Sequence, residues 1–204
     1  MELAAPNMFE TVFRTLPIVY LRFCNMPVLP LDYSANGDKM LKELIELKET
    51  VKDIISLEEP IKYVGDFKKE YMQFYQTAKK VVDAYDVAKE NERDSFNELF
   101  STINMPLIKL SRILNNVLLG GFLKWDRYSS GLYVNDFDEG VLASKSIPCL
   151  IPLNKLVTLN HESDEYWSLL TKLVRNRNKV SDALRSAIEI IKSAREEIER
   201  TIAS

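Results

Sequence analysis

Ser163 to Ile202 reads SDEYWSLLTKLVRNRNKVSDALRSAIEIIKSAREEIERTI, without a proline or a glycine. Its apolar positions are Tyr166, Leu170, Leu173, Val174, Val180, Leu184, Ala187, Ile188, Ile191, Ala194, Ile198 and Ile202. They return at intervals of three and four, the spacing that puts side chains on one helix face. At 1.5 Å per residue such a helix is about 60 Å long. A globular domain of this size is narrower than that. The helix therefore either runs the length of an elongated bundle or leans on something else.

Three further stripes lie upstream. Met40, Leu41, Leu44, Ile45, Leu47, Val51, Ile54 and Ile55 mark a helix over 38–57, with Asn36-Gly37-Asp38 as its start and Glu59-Pro60 as its stop. Phe67, Tyr71, Phe74, Tyr75, Ala78, Val81, Val82, Tyr85 and Ala88 form the second stripe, and its aromatic members read as core. Phe96, Leu99, Phe100, Ile103, Leu107, Leu110, Ile113, Leu114 and Val117 form the third. It keeps phase across Pro106, which either kinks one helix or opens another behind an Asn104 cap. A shorter apolar helix over 7–22 precedes all four and ends at Pro27 and Pro30. The expected fold is all-α: an elongated up-and-down four-helix bundle with a leading N-terminal helix, one domain over 1–204.

One stretch breaks the pattern. Between about 120 and 153 lie four of the six glycines (Gly120, Gly121, Gly131 and Gly140), together with Trp125, Tyr128, Tyr133 and Phe137. It reads as one long irregular loop, and a structureless loop of that length is usually functional or packed by its own side chains.

Composition removes several classes of function. The chain has 204 residues, 46% of them apolar and 28% charged, which is ordinary globular usage. Lys and Arg total 27 against 30 Asp and Glu, so the net charge is −3, the opposite of the basic balance of nucleic-acid binders. The most apolar stretches carry Glu10, Arg14 and Arg22, or Lys109, Arg112, Asn115 and Asn116, too many polar groups for a membrane span. No signal peptide is legible, and the expectation is a cytoplasmic chain.

Cys24, Cys149 and His161 are the only cysteines and histidine, fewer than the four ligands of a structural zinc site. The cysteines read as buried reduced thiols. His161 sits in Asn160-His161-Glu162-Ser163-Asp164, a solvated loop or helix start. Glu58-Glu59 and Glu196-Glu197 read as surface charge, and Asp136/Asp138/Glu139 lack the spacing of a calcium loop. Lys172–Lys179 is the one basic run. Its apolar members stay in phase with the core stripe, so its charges flank a helix face. No residue is assigned a catalytic or metal-binding role. The long helix and the aromatic loop suggest a surface made for a partner, with Trp125, Tyr128, Tyr133 and Trp167 as its contacts, since large amphipathic aromatics carry interface energy.

The order of elements resembles the C-terminal, transferrin-receptor-like dimerisation domain of the glutamate carboxypeptidase family of zinc exopeptidases. Asn25-Met26-Pro27-Val28-Leu29-Pro30-Leu31-Asp32-Tyr33, after the leading helix, is similar to the family's N-S-x-V-L-P-F-D turn. The stretch from Asn104 to Leu114, NMPLIKLSRIL, is similar to its N-D-x-L-M-x-L-E-R-A-F helix. Ser146-Ile147-Pro148 is similar to its S-F-P turn, after which a helix pair ending in the long terminal helix follows. The likeness covers about 7–194. It implies a four-helix bundle that forms a homodimer and supports a peptidase domain of the same parent chain. The catalytic zinc would sit in that missing domain, and no cofactor is expected in this one. The family's loop before S-F-P approaches the active site with a Lys-Tyr pair; the matching positions hold Val141 and Leu142. The pair is absent, which counts against acidic C-terminal specificity, and leaves Lys145 and Ser146 as the active-site-facing candidates. A different class of reading is a free-standing helical adaptor that takes a partner's helix or peptide in a groove. A third is an enzyme working through Lys145, the Asp136–Glu139 acids and His161, which requires those groups to share a pocket.

Overall fold

The computed structural model describes residues 15–18, 21, 26–118 and 146–203, with the side chains of 115–118 excepted. Four long helices dominate: α1 (Ser34–Val51), α2 (Glu58–Val87), α3 (Asn97–Leu118) and α4 (Asp164–Ala203). No strand occurs among the described residues. The fold is all-α, as the stripes require.

Cross-helix bonds fix the directions. Lys48 pairs with Glu58 and Lys68 with Asp38, so α1 and α2 run antiparallel. Arg177 donates to the Ser56 carbonyl, Arg195 pairs with Glu70, and the Thr77 hydroxyl donates to Glu199. Both numbers rise together, so α2 and α4 run parallel. A 3-10 segment, Glu90–Phe96, turns the chain from α2 into α3. There Tyr85 stacks edge-on against Phe96 and Phe100 at 5.7 and 5.0 Å, and α3 returns antiparallel to α2 and α4. The directions alternate down the chain, and α4 packs along both α2 and α3.

The core follows the helical periods. Met40, Leu44, Phe67, Phe74, Ile103, Leu110, Leu173, Leu184, Ile191 and Ile198 are all buried. Ser163 opens α4 as expected, its hydroxyl oxygen accepting the Tyr166 N–H at 3.2 Å.

Several boundaries move. α1 starts at Ser34 rather than Asp38, because the Asp32 carboxylate accepts the Ser34 N–H at 2.8 Å and caps the first turn. It stops at Val51, where Lys52 adopts φ 46°, a left-handed conformation that no helix continues through. Pro60 does not stop α1; it lies in the first turn of α2, where the missing N–H costs nothing. Pro106 lies inside one continuous α3, and Asn104 caps nothing. Tyr75 leaves the aromatic core and is 50% exposed.

The irregular stretch expected to reach 153 ends sooner. Pro148–Leu150 forms a 3-10 turn and Leu153–Leu156 a single α-turn. Pro148 takes the first position of the one turn and Pro152 directly precedes the other, so neither interrupts it. Ile147, Cys149, Leu150, Leu153 and Leu156 are buried and fill the end of the core nearest the start of α4. Asn176, buried within the basic run of α4, donates to the Cys149 carbonyl at 3.0 Å. Residues 120–145 of the expected loop lie outside the described residues, as does most of the leading helix; 15–18 and 21 are helical.

Candidate interaction surface

Met26 to Tyr33 crosses the bundle as an irregular strap over α2 and α3, bent at Pro27 and Val28. Pro27 and Pro30 exclude helix and remove two backbone donors; the Leu31 N–H bonds within the strap to the Leu29 carbonyl at 2.8 Å, and other polar groups find partners on the helices. Asn104 supplies two of them. Its side-chain carbonyl accepts the Leu29 N–H at 2.8 Å, and its amide donates to the Pro27 carbonyl at 2.9 Å. One primary amide thus pairs with the strap as a neighbouring strand would. The Tyr71 hydroxyl donates to the Leu31 carbonyl at 2.7 Å, and the Tyr33 hydroxyl to the Leu107 carbonyl at 3.1 Å. The two rings meet edge-on at 5.8 Å. Burial raises the Tyr33 phenol above its ordinary range and pushes Tyr71 up to about 12.

Beside the strap lies a groove of about 520 Å³. Tyr71, Phe74, Ala78, Ile103 and Leu107 line it from the helices, Pro27 to Leu31 from the strap, and Lys79, Asp83 and Asp32 stand among its polar lining. Tyr75 belongs to this lining, which accounts for its exposure. Just upstream, Leu16, Ile18, Leu21 and Met26 are exposed apolar side chains.

Ser146 is held from below. Its N–H reaches both carboxylate oxygens of Glu43 at 2.9 Å, and the Ile147 N–H donates to one of them at 3.1 Å. Trp167 stands on α4 with 57% of its surface exposed, its ring edge-on to Tyr166 at 5.4 Å. His161 stacks on the same Tyr166 at 4.5 Å. Trp125, Tyr128, Tyr133, Lys145 and the Asp136–Glu139 acids lie outside the described residues. So do Val141, Leu142 and Cys24.

Cys149 is a free buried thiol, pushed by burial up to about 12. Among the described residues no group of three or more His, Cys, Asp or Glu is placed to hold a metal ion, and no helix is long and apolar enough to cross a membrane. Arg177 spends its guanidinium on the Ser56 carbonyl and on Asn178. The Asn104 clamp is what sequence reasoning missed. An asparagine two residues before Pro106 looks like a cap, and only the strap across the helix shows its use.

No protein-family model, curated protein or solved structure matches the chain.

Proposed function

We propose that this chain is the helical dimerisation and support domain of a glutamate carboxypeptidase-like zinc peptidase, whose catalytic zinc belongs to a protease domain outside it. One observation carries the reading. Two of the stretches that carry the resemblance, the turn around Pro27–Tyr33 and the helix from Asn104, meet where Asn104 bonds Leu29, 75 residues away in sequence. A shared strap-and-helix unit explains why both patterns occur in one chain. The exposed Leu16, Ile18, Leu21 and Met26, next to the strap, suit contact with the neighbouring peptidase domain. The chain's own role is binding: to that domain and to a second copy of itself. It performs no reaction alone. A cytoplasmic setting is inferred from the unpaired thiol of Cys149.

An immunoblot of the source cell with antibody against this chain tests the parent. A band several hundred residues longer is the expected result; a band at 23.5 kDa overturns it. The groove beside the strap favours a second reading, a helical adaptor that seats a partner's apolar side chains there. That reading gains from a 23.5 kDa band together with a monomeric chain in sedimentation.

A further inference from the structure

The one Asn-Gly pair of the chain, Asn36-Gly37, lies in the first turn of α1. An asparagine followed by glycine is prone to lose its side-chain amide, because glycine has no side chain to keep its backbone nitrogen at a distance. The Gly37 nitrogen attacks Cγ of Asn36; the N–Cγ bond forms and the Cγ–Nδ2 bond breaks. Ammonia leaves with the proton that Gly37 gives up, and solvent water opens the cyclic imide at either carbonyl, to aspartate or isoaspartate. The folded chain blocks the first step. The Gly37 N–H donates to the Tyr33 carbonyl at 3.1 Å, and the residue is buried against the stem of Lys68. Asn36 itself is exposed, so only the nucleophile is guarded.

The guard belongs to the strap. Tyr33 is the last strap residue, and its hydroxyl holds it on α3 through the Leu107 carbonyl at 3.1 Å. Since α1 starts at Ser34, the bond from Gly37 to Tyr33 is the first of the helical ladder, and helix ends open before their middles. Asp32 braces the same turn by accepting the Ser34 N–H at 2.8 Å. We propose that Asn36 is a site of spontaneous deamidation, licensed when the first turn of α1 opens from the strap. The product records the opening. Isoaspartate places an extra methylene in the backbone, so the bond between Gly37 and Tyr33 cannot re-form in register, and the junction of strap and helix stays open.

The test is peptide mapping of the full chain held at pH 8, in buffer and in urea, with Asp32→Ala and Tyr33→Phe beside the parent. The mass change from amide to acid at the peptide carrying Asn36 gives the rate, and circular dichroism checks the fold. In urea all three should react alike, since none keeps the turn. In buffer the parent should react about 10-fold or more slowly than in urea, and each variant about 3- to 5-fold faster than the parent, because the reaction follows the open population. A parent as fast in buffer as in urea, or variants no faster than the parent in buffer, would overturn the gate. No reaction at Asn36 in urea would remove the site itself. Should a variant fail to fold, graded urea below the unfolding transition replaces it. A parent rate that rises there supports the proposal, and one that stays flat until the whole chain unfolds overturns it.

Discussion

Asn104 holds the strap through groups that have little else to bond. Pro27 and Pro30 leave the strap short of donors, and the Leu29 N–H lies partly buried under its own chain. Asn104→Ala removes one acceptor and one donor at once, leaving both the Leu29 N–H and the Pro27 carbonyl to find water. The cost should be about 1–3 kcal/mol in urea unfolding, since an orphaned partly buried group forfeits its desolvation as well as its bond. Asn104→Asp keeps the acceptor and loses the donor, so it should fall between the two. Equal stability of all three would mean that water substitutes for the clamp. None of this was legible from sequence. Asparagine near a helix proline is a common cap, and a side-chain amide acting as a strand partner leaves no periodic trace. Ser163 was legible because a cap is local: its partner lies three residues away.

Whole helices were easier to read than their ends. Each of the four long helices follows a stripe that repeats for five turns or more, and the packing only selects which members of the stripe are buried. The ends depend on single residues, the Asp32 cap and the left-handed Lys52, which no period announces. The turns over 148–156 were missed because each is a single turn, too short to show a period. Two glycines inside helices test how far packing overrides propensity. At Gly65, on the exposed side of α2, an added methyl group meets nothing within 4 Å. Gly65→Ala should therefore stabilise by about 0.5–1 kcal/mol. At Gly37 the same methyl group would lie 2.5 Å from Cγ of Lys68, part of a stem already committed to the Asp38 pair. Gly37→Ala should lose stability despite the same gain in propensity. Thermal melts of the two variants should move in opposite directions. A rise in both would mean that Lys68 swings aside freely, and that α1 and α2 are less tightly held than their contacts suggest.

At the scale of the molecule, two groups in different parts of one core answer to the same variable. Tyr71 lies under the strap and Cys149 lies where the last turns meet α4. Burial pushes both up to about 12, from ordinary values of 10 and 9. The sign of the effect follows from proton counts. Above pH 9 the unfolded chain releases the Cys149 proton while the folded chain keeps it, so the unfolded state binds fewer protons and stability falls as pH rises. Tyr71 adds the same trend from pH 10. Both contributions are complete below those values and are lost as pH climbs towards 12. The informative quantity is the difference between parent and variant melts. Cys149→Ala should remove the portion that begins near pH 9, leaving a decline that starts near 10. Tyr71→Phe should remove part of the later decline, at the cost of its bond to the Leu31 carbonyl. In the folded parent at pH 8, iodoacetamide should leave Cys149 unmodified in peptide mapping, because the buried group is a thiol and the reagent attacks the thiolate. Rapid native alkylation of Cys149, or melts of the parent and Cys149→Ala that run parallel from pH 8 to 12, would mean that the end of the bundle at α4 opens without global unfolding. The 3-10 turn and the single α-turn would then be a separately unfolding unit, and the core described here would end at α3.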